Sequence, residues 1–344
     1  MKAWATVAAA LLGFAGQAVA GPCTPGDIVV KFATVVSATD NPKGIAARIF
    51  ADRVNQAMAG RLCVIVYPDS SLYDDDSVLQ AMLQGDVQLA APSLSKFEAF
   101  TKVFRLFDLP FLFPDLQAVD AFETSPAGAR MKSSMAGRGL AGLEFWHSGM
   151  KQFSANRPLL HPGDAKGLKF RIQPSEVIAA SIRALEAYPL SIAFSDVPDA
   201  LATGVVDGQE NTWSNIYAQK LYAVQDGITE TNHGVLEYLV VTSADFLRSL
   251  PPDIRSQFLE ILHQVTVERN AAVTAVEARS RAAIIAAGGK IRTLTPAERA
   301  EWVGAMQPVW GQFRDDVGAD NLAAAEAAAR QTGTVQSGTD APGG

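Results

Sequence analysis

The sequence predicts a two-lobed α/β protein with a mostly parallel sheet, and three observations predict it. Apolar runs of strand length alternate with helices of about 10–15 residues, the grammar of βαβ units. The chain has 344 residues, enough for two lobes at about 150 residues each. A helical stretch of about 36 residues, opened by Pro251-Pro252-Asp253 and stopped by Gly288-Gly289, makes a rod of roughly 54 Å, long enough to span two lobes.

Residues 1–20 precede the fold. Lys2 gives a positive start, Ala3 to Ala15 are mostly apolar, and Ala18-Val19-Ala20 forms an A-x-A site, so a secretory signal peptide cut before Gly21 is expected. No later segment offers about 20 uninterrupted apolar residues, so the mature chain is expected to be soluble and exported.

Residues 28–33 read as a buried strand, and Pro42-Lys43 opens a helix whose Ile45, Ile49, Phe50, Val54 and Met58 follow the helical period. A second strand, 62–67, ends at Pro68. Asp74-Asp75-Asp76 leads into a helix with Val78, Leu79, Met82 and Leu83 inward, the acids suiting its N-terminus as a solvated cap. Residues 87–91 form a third strand. Further on come a helix at about 124–136, strands at 143–146 and 168–172, a helix at 174–187, and a short strand and turn at 205–208. After the long rod, Thr295-Pro-Ala-Glu298 is a capping box that opens a helix carrying Trp302 and Met306. Residues 331–344, rich in Gly, Thr and Ser, read as a disordered tail.

Composition excludes several classes. With 48% hydrophobic and 19% charged residues the chain is globular rather than disordered. Its 29 Lys and Arg against 36 Asp and Glu give a net charge of −7, and loss of Lys2 with the signal peptide makes it −8. No basic field is left for nucleic acid, although a local cationic pocket can still hold an anion. Cys23 and Cys63 stand just before or at the start of strands, where they form either a disulfide or two separate buried thiols. Gly21-Pro22 is unlike the small-residue run before a lipidated cysteine.

Tempting motifs fail on context. Gly137-Arg-Gly139-Leu-Ala-Gly142 matches a dinucleotide fingerprint by letter, but its helix comes before and its strand after, the reverse of what phosphate binding needs. The histidines at 147, 161, 233 and 263 lack zinc-site spacing, the Asp74–Asp76 run lacks the remaining features of a calcium loop, and no G-x-S-x-G elbow or Cys-His pair appears. No metal or cofactor is expected, and a binder is favoured over an enzyme.

Special residues concentrate in GLKFRIQPSEV (167–177), VVDGQENTWSNIYAQK (205–220) and TNHG (231–234). Arg171 ends a strand, where open α/β sheets bind ligands, and its planar fork matches a carboxylate with two parallel bonds. Asn211 and Trp213 follow a strand and Gly turn. Read blandly, Arg171 is a structural ion-pair residue, Asn211 a turn amide and Trp213 a core residue.

These segments, with YPDSSLYDD (67–75), APSLSKF (91–97), FDLPFLF (107–113) and GMKQFSANRPL (149–159), run in order over about 28–328. The chain resembles a solute-binding protein of the tripartite ATP-independent periplasmic (TRAP) transporters, of the DctP type. The resemblance implies a two-lobed periplasmic binding protein with hinge strands and a long bracing helix: lobe I from 21–148 plus 237–276, lobe II from 149–236 plus 277–330. It also implies a non-enzymatic receptor that hands an organic acid to a membrane permease. Arg171 matches the family's carboxylate-pairing arginine, Asn211 its companion amide, Phe194 its packing aromatic and His233 a pocket-side histidine. Lys151 lies where sialic-acid binders carry a second arginine, and with the following FSANRPL is more like the dicarboxylate branch.

A small diacid needs one clamp per carboxylate, because a buried charge without a partner costs several kcal/mol. Arg171 and Lys151 are the expected cations, with Ser93 and Lys96 as donors from the other lobe. Asn41, where relatives often show His or Thr, and Val35, where sialic-acid binders present a polar group, argue against a polyhydroxyl sugar acid. The expected ligand is a four-carbon dicarboxylate such as succinate, fumarate or malate. A monocarboxylate, keto acid or aromatic acid stacked on Trp213 is the alternative, and an exported carboxylate-processing enzyme the remote one. A sensor partner would read the same surface as a permease. A monomer is expected, although the rod's apolar stripe would also suit a dimer.

Overall fold

The computed structural model describes residues 23–338. The expected signal peptide and its cleavage point lie outside the described residues.

Among the described residues there is one sheet of nine strands: β1 (Ile28–Ala33), β2 (Leu62–Tyr67), β3 (Leu89–Ala90), β4 (Leu140–Ala155), β5 (Lys169–Ile172), β6 (Tyr188–Ser191), β7 (Gly208–Asn211), β8 (Gly227–Ser243) and β9 (Ile291–Thr293). The order is β2-β1-β3-β8-β4-β7-β5-β6, with β9 on β8. β1 pairs in parallel with β2 and β3, and β5 with β6 and β7. Between these parallel halves run β4 and β8, antiparallel to each other and 16 and 17 residues long. Each half is the sheet of one lobe, and the two long strands cross from one lobe to the other.

The helices are α1 (Pro42–Ala57), α2 (Val78–Gln84), α3 (Leu116–Glu123), α4 (Pro126–Lys132), α5 (Glu176–Ala184), α6 (Val197–Ala202), α7 (Trp213–Ala218), α8 (Ala244–Ser249), α9 (Pro252–Ala286), α10 (Pro296–Met306), α11 (Trp310–Val317) and α12 (Ala319–Gly338). Their starts follow local chemistry. Asn41 accepts from Lys43 N ahead of Pro42 at the start of α1, and α10 begins with the reciprocal Thr295–Glu298 capping box. The 35-residue α9 is the rod. Its Ile254, Phe258, Leu262 and Val265 share a core with Phe50 and Val64 of the first lobe, while Ile284 packs with Val197 and Ile216 of the second. One helix thus spans both cores. Cys23 and Cys63 are joined by a disulfide that ties the start of the described chain to β2.

Several boundaries differ from the sequence reading. The third strand shrinks to Leu89–Ala90. The strand expected at 205–208 begins at Gly208, and the helix expected over 124–136 is α4 followed by a 3-10 turn, Ala136–Arg138. The stretch 143–146 is a fragment of the far longer β4. The expected tail overlaps α12, which continues to Gly338, and its remainder lies outside the described residues.

Candidate functional site

A cavity of about 30 Å³, open at its mouth, lies between the lobes where β8 crosses. Val35, Asp75 and Lys96 come from the first lobe, Arg171, Phe194 and Asn211 from the second, and Leu236 and Tyr238 from β8.

Arg171 sits on β5 and is only 2% exposed. Its Nε donates to the Ile192 carbonyl oxygen at 2.9 Å, and the guanidinium lies 5.9 Å from the centre of the Phe194 ring. Among the described residues this is the guanidinium's one hydrogen bond, so both terminal nitrogens remain as donors at the cavity wall. Burial pushes the Arg171 pKa down to about 10, against the opposing pull of Glu210, Asp76 and Asp75, and the group is a cation at neutral pH.

Beside it runs a relay of amides. Asn41 Nδ2 donates to Asn215 Oδ1 at 2.7 Å, and Asn215 Nδ2 donates to Asn211 Oδ1 at 2.7 Å. Asn211 Oδ1 also accepts from Thr212 N at 3.0 Å. With that oxygen engaged, the Asn211 Nδ2 is the donor left to the cavity. Burial lifts Tyr238 to about 12, so it presents a neutral hydroxyl.

On the facing wall, Lys96 Nζ is 2.6 Å from Asp76. Lys43 is buried behind it, donating to Ala91 O at 3.0 Å with Nζ 4.0 Å from the centre of the Tyr238 ring, and burial lowers its pKa. Asp75 keeps surface toward the cavity yet is surrounded by protein, and burial raises its pKa against Lys43 and Lys96. The reading of 74–76 as a solvated cap therefore needs correction. Asp74 does accept from Asp76 N and Ser77 N at 3.1 and 2.8 Å, but all three acids line the cavity. Asp75, Gln173, Asn215 and Tyr238 line the cavity and were missed as site residues. Gln173 directly follows β5, a strand-end position like that of Arg171, whereas Asp75 lies in the loop between β2 and α2.

Ser93 is beside the cavity and already occupied: its Oγ accepts from Gln173 Nε2 at 2.6 Å across the lobes. Three expected site residues lie elsewhere. Lys151, read as the second clamp, is 3.0 Å from Glu210 and 3.9 Å from Asp108. His233 Nε2 is 3.1 Å from the other Glu210 oxygen, and its ring stacks on Phe153 at 3.9 Å between centres. Burial alone would raise Glu210, but Lys151 and His233 outweigh it and hold the carboxyl at about 2, whereas burial pushes Asp108 up to about 6. The physical reason for the displacement is strand alternation: Glu210 lies on the opposite face of β7 from Asn211, and Lys151 and His233 meet it there in a separate buried pocket. Trp213, read as a stacking residue, packs instead with Ile216 and Ile284 beneath Arg281, 5.5 Å from its ring. Its N–H and that of Ser214 donate to Glu277 of α9 at 2.9 and 3.0 Å.

The arrangement is a binding device: a buried arginine fork and amide on one wall, a lysine on the other, and two lobes that meet around them. Residues 32–316 match the family model for bacterial extracellular solute-binding protein, family 7 (DctP). The chain is 55% identical to the C4-dicarboxylate-binding periplasmic protein DctP of Vibrio cholerae serotype O1, over 94% of this chain and 97% of that one. It is 40% identical to the DctP protein of Rhodobacter capsulatus, over 89% and 92%. Among solved structures, a TRAP periplasmic solute-binding protein from Shewanella oneidensis with bound succinate superposes with a TM-score of 0.87 at 47% identity, covering 88% of this chain and all but 1% of that one, since 99% is matched. One from Pseudomonas aeruginosa PAO1 with bound L-malate gives 0.81 at 41%, covering 83% and 99%. This chain belongs to the DctP family of TRAP solute-binding proteins.

Proposed function

We propose that the chain is a periplasmic receptor that captures a four-carbon dicarboxylate such as succinate, fumarate or malate and delivers it to a TRAP membrane permease. The observation that carries this reading is the pair of cations on opposite walls of one interlobe cavity, Arg171 from the second lobe and Lys96 from the first. Arg171 takes one carboxylate in its fork, Asn211 adds a neutral donor, and Lys96, already shared with Asp76, meets the second. Bridging both walls gives the ligand a differential affinity for the closed state, the requirement for closure. The names and bound ligands of the relatives point the same way. Export through cleavage before Gly21 belongs to this proposal, and the mass of the secreted chain tests it.

Asp75 favours a second reading. A carboxyl at the Lys96 wall opposes a second ligand carboxylate, and a keto or hydroxy monoacid would avoid that repulsion. A relative from Ralstonia eutropha, 28% identical with a TM-score of 0.82, holds (S)-2-acetolactate.

The deciding experiment titrates mature protein, stripped of carried-over ligand by unfolding and refolding, with succinate, malate, fumarate, pyruvate and benzoate in a calorimeter. One-to-one heat from the diacids is expected, and each at 100 times its Kd adds about 2.7 kcal/mol of stability. Silence toward diacids with heat from pyruvate selects the second reading.

A further inference from the structure

On the opposite face of β8 from Tyr238, the neighbouring Glu237 points away from the ligand cavity. It pairs in register with His147 of β4, and its Oε2 is 2.9 Å from His147 Nδ1. Glu123, at the C-terminal end of α3, brings a carboxylate oxygen to 3.7 Å from the same nitrogen. One ligating atom from each of the three lies within 4.8 Å of the others. The residues are 7%, 4% and 2% exposed for Glu123, His147 and Glu237.

The polar bookkeeping of this cluster does not close with protein atoms alone. Glu123 Oε1 and Glu237 Oε1 are buried without a hydrogen-bond partner, and among the described residues the Glu123 carboxylate has no hydrogen bond at all. Two carboxylates beside one imidazole offer more oxygen lone pairs than the surrounding protein has donors for, a donor set that a divalent cation can take up. Access exists: Glu123 and His147 edge a groove lined by Asp120, Glu144, His263 and Asn270. Asp120 is 3.8 Å from His147 Nε2, the ring nitrogen turned away from the two glutamates. Asn270 Oδ1 accepts from His147 N at 3.1 Å and fixes the backbone beneath the ring.

We propose that Glu123, His147 and Glu237 form a site for one divalent transition-metal ion, Zn²⁺ by its donor set of one imidazole and two carboxylates, separate from the carboxylate cavity. The three protein ligands leave a fourth position toward the groove for water. Ligand atoms now within 4.8 Å contract about an ion at roughly 2.0–2.2 Å per bond. The ion would tie α3 to β4 and β8 beside the irregularity between His147 and Gly149, where both long strands pass between lobes.

The test uses the untagged mature chain, stripped with chelator and titrated with Zn²⁺ by calorimetry and with Co²⁺ by visible absorption. One ion per chain is expected, with affinity reduced about tenfold or more in Glu123→Gln and in His147→Gln. His263→Ala, which removes the exposed histidine of the groove, should bind as wild type does. Succinate heats and melting temperature of the chelator-treated variants report whether they fold, and Co²⁺ absorption of the wild-type chain needs no variant. Failure of the wild-type chain to take up one ion, or unchanged affinity in a folded Glu123→Gln, overturns the proposal whatever the succinate result.

Discussion

Arg171 Nε donates to the carbonyl oxygen of Ile192 at 2.9 Å, a bond between the end of β5 and the loop just past β6. It uses the one guanidinium nitrogen that is not needed for a parallel two-bond contact and fixes the plane of the other two. Phe194, two residues beyond Ile192, lies below that plane. The fork is therefore held in place by the protein before any anion arrives, and less side-chain freedom is lost on binding.

The first prediction follows from that plane. Arg171→Lys keeps the charge and loses both the Ile192 bond and the paired donors. Succinate affinity should fall about a hundredfold, near 3 kcal/mol for charge-assisted hydrogen bonds, while the unliganded melting temperature stays nearly constant. Calorimetry decides: affinity within a few-fold of wild type would mean that charge alone suffices and the fork does not operate.

Closure supplies the second. Among the hydrogen bonds that bridge the lobes beside the cavity are Asn41 to Asn215 at 2.7 Å and Gln173 to Ser93 at 2.6 Å. Asn41 also caps α1 and Gln173 lines the cavity, so Ser93→Ala is the cleanest cut. Loss of about 1 kcal/mol from the closed state should weaken apparent affinity roughly fivefold. Solution scattering of the unliganded variant should show a more open average shape, and an identical profile with identical affinity would remove this bond from the closing mechanism.

How far the sequence was legible depended on whether the signal was local. The α1 start, the Thr295 box and the long α9 follow rules confined to a few residues, and they appear where expected. Strands β4 and β8 were read as one short piece and not at all. In β8, GITETNHGVLEYLVVTS, polar side chains break up the apolar run, and register shifts at Gly142/Glu144, His147/Gly149 and Lys151/Phe153 disturb the period of β4. The same irregularities hid the face to which Lys151 belongs, because a shift of one residue turns every side chain over. Arg171 and Asn211 were legible from strand ends. Asp75 was not, because its neighbour Asp74 does the capping that an acidic run suggests.

Lys151 gives the third prediction. Removing one partner from a buried ion pair leaves the other charged and unpaired, at about 3–5 kcal/mol. Lys151→Met should therefore lower the stability of the unliganded protein by about that amount, and adding Glu210→Gln should restore much of it. Urea unfolding of the single and double variants measures both. A Lys151→Met protein of unchanged stability that no longer binds succinate would return the lysine to the ligand.

The fourth concerns Glu277 of α9, whose buried carboxylate accepts the first N–H groups of α7. Burial raises its pKa from 4.5 to about 7, although those two bonds and the Ser214 hydroxyl favour the charged form. A raised carboxyl binds more protons folded than unfolded between these values, so its contribution to stability is full below about 4.5 and is lost as pH rises through about 7. The loss amounts to about 3 kcal/mol for a shift of that size. Asp108, raised to about 6, slopes the same way, and Glu210, held at about 2, acts only in acid. The informative quantity is therefore the difference between wild type and Glu277→Gln. Glutamine keeps an acceptor for α7 and cannot titrate, so the variant should show a nearly constant offset plus a flatter stability profile between pH 4.5 and 7. Parallel profiles from urea unfolding across that window would mean that Glu277 stays ionised throughout, with the α7 N–H groups stabilising the carboxylate more than burial opposes it.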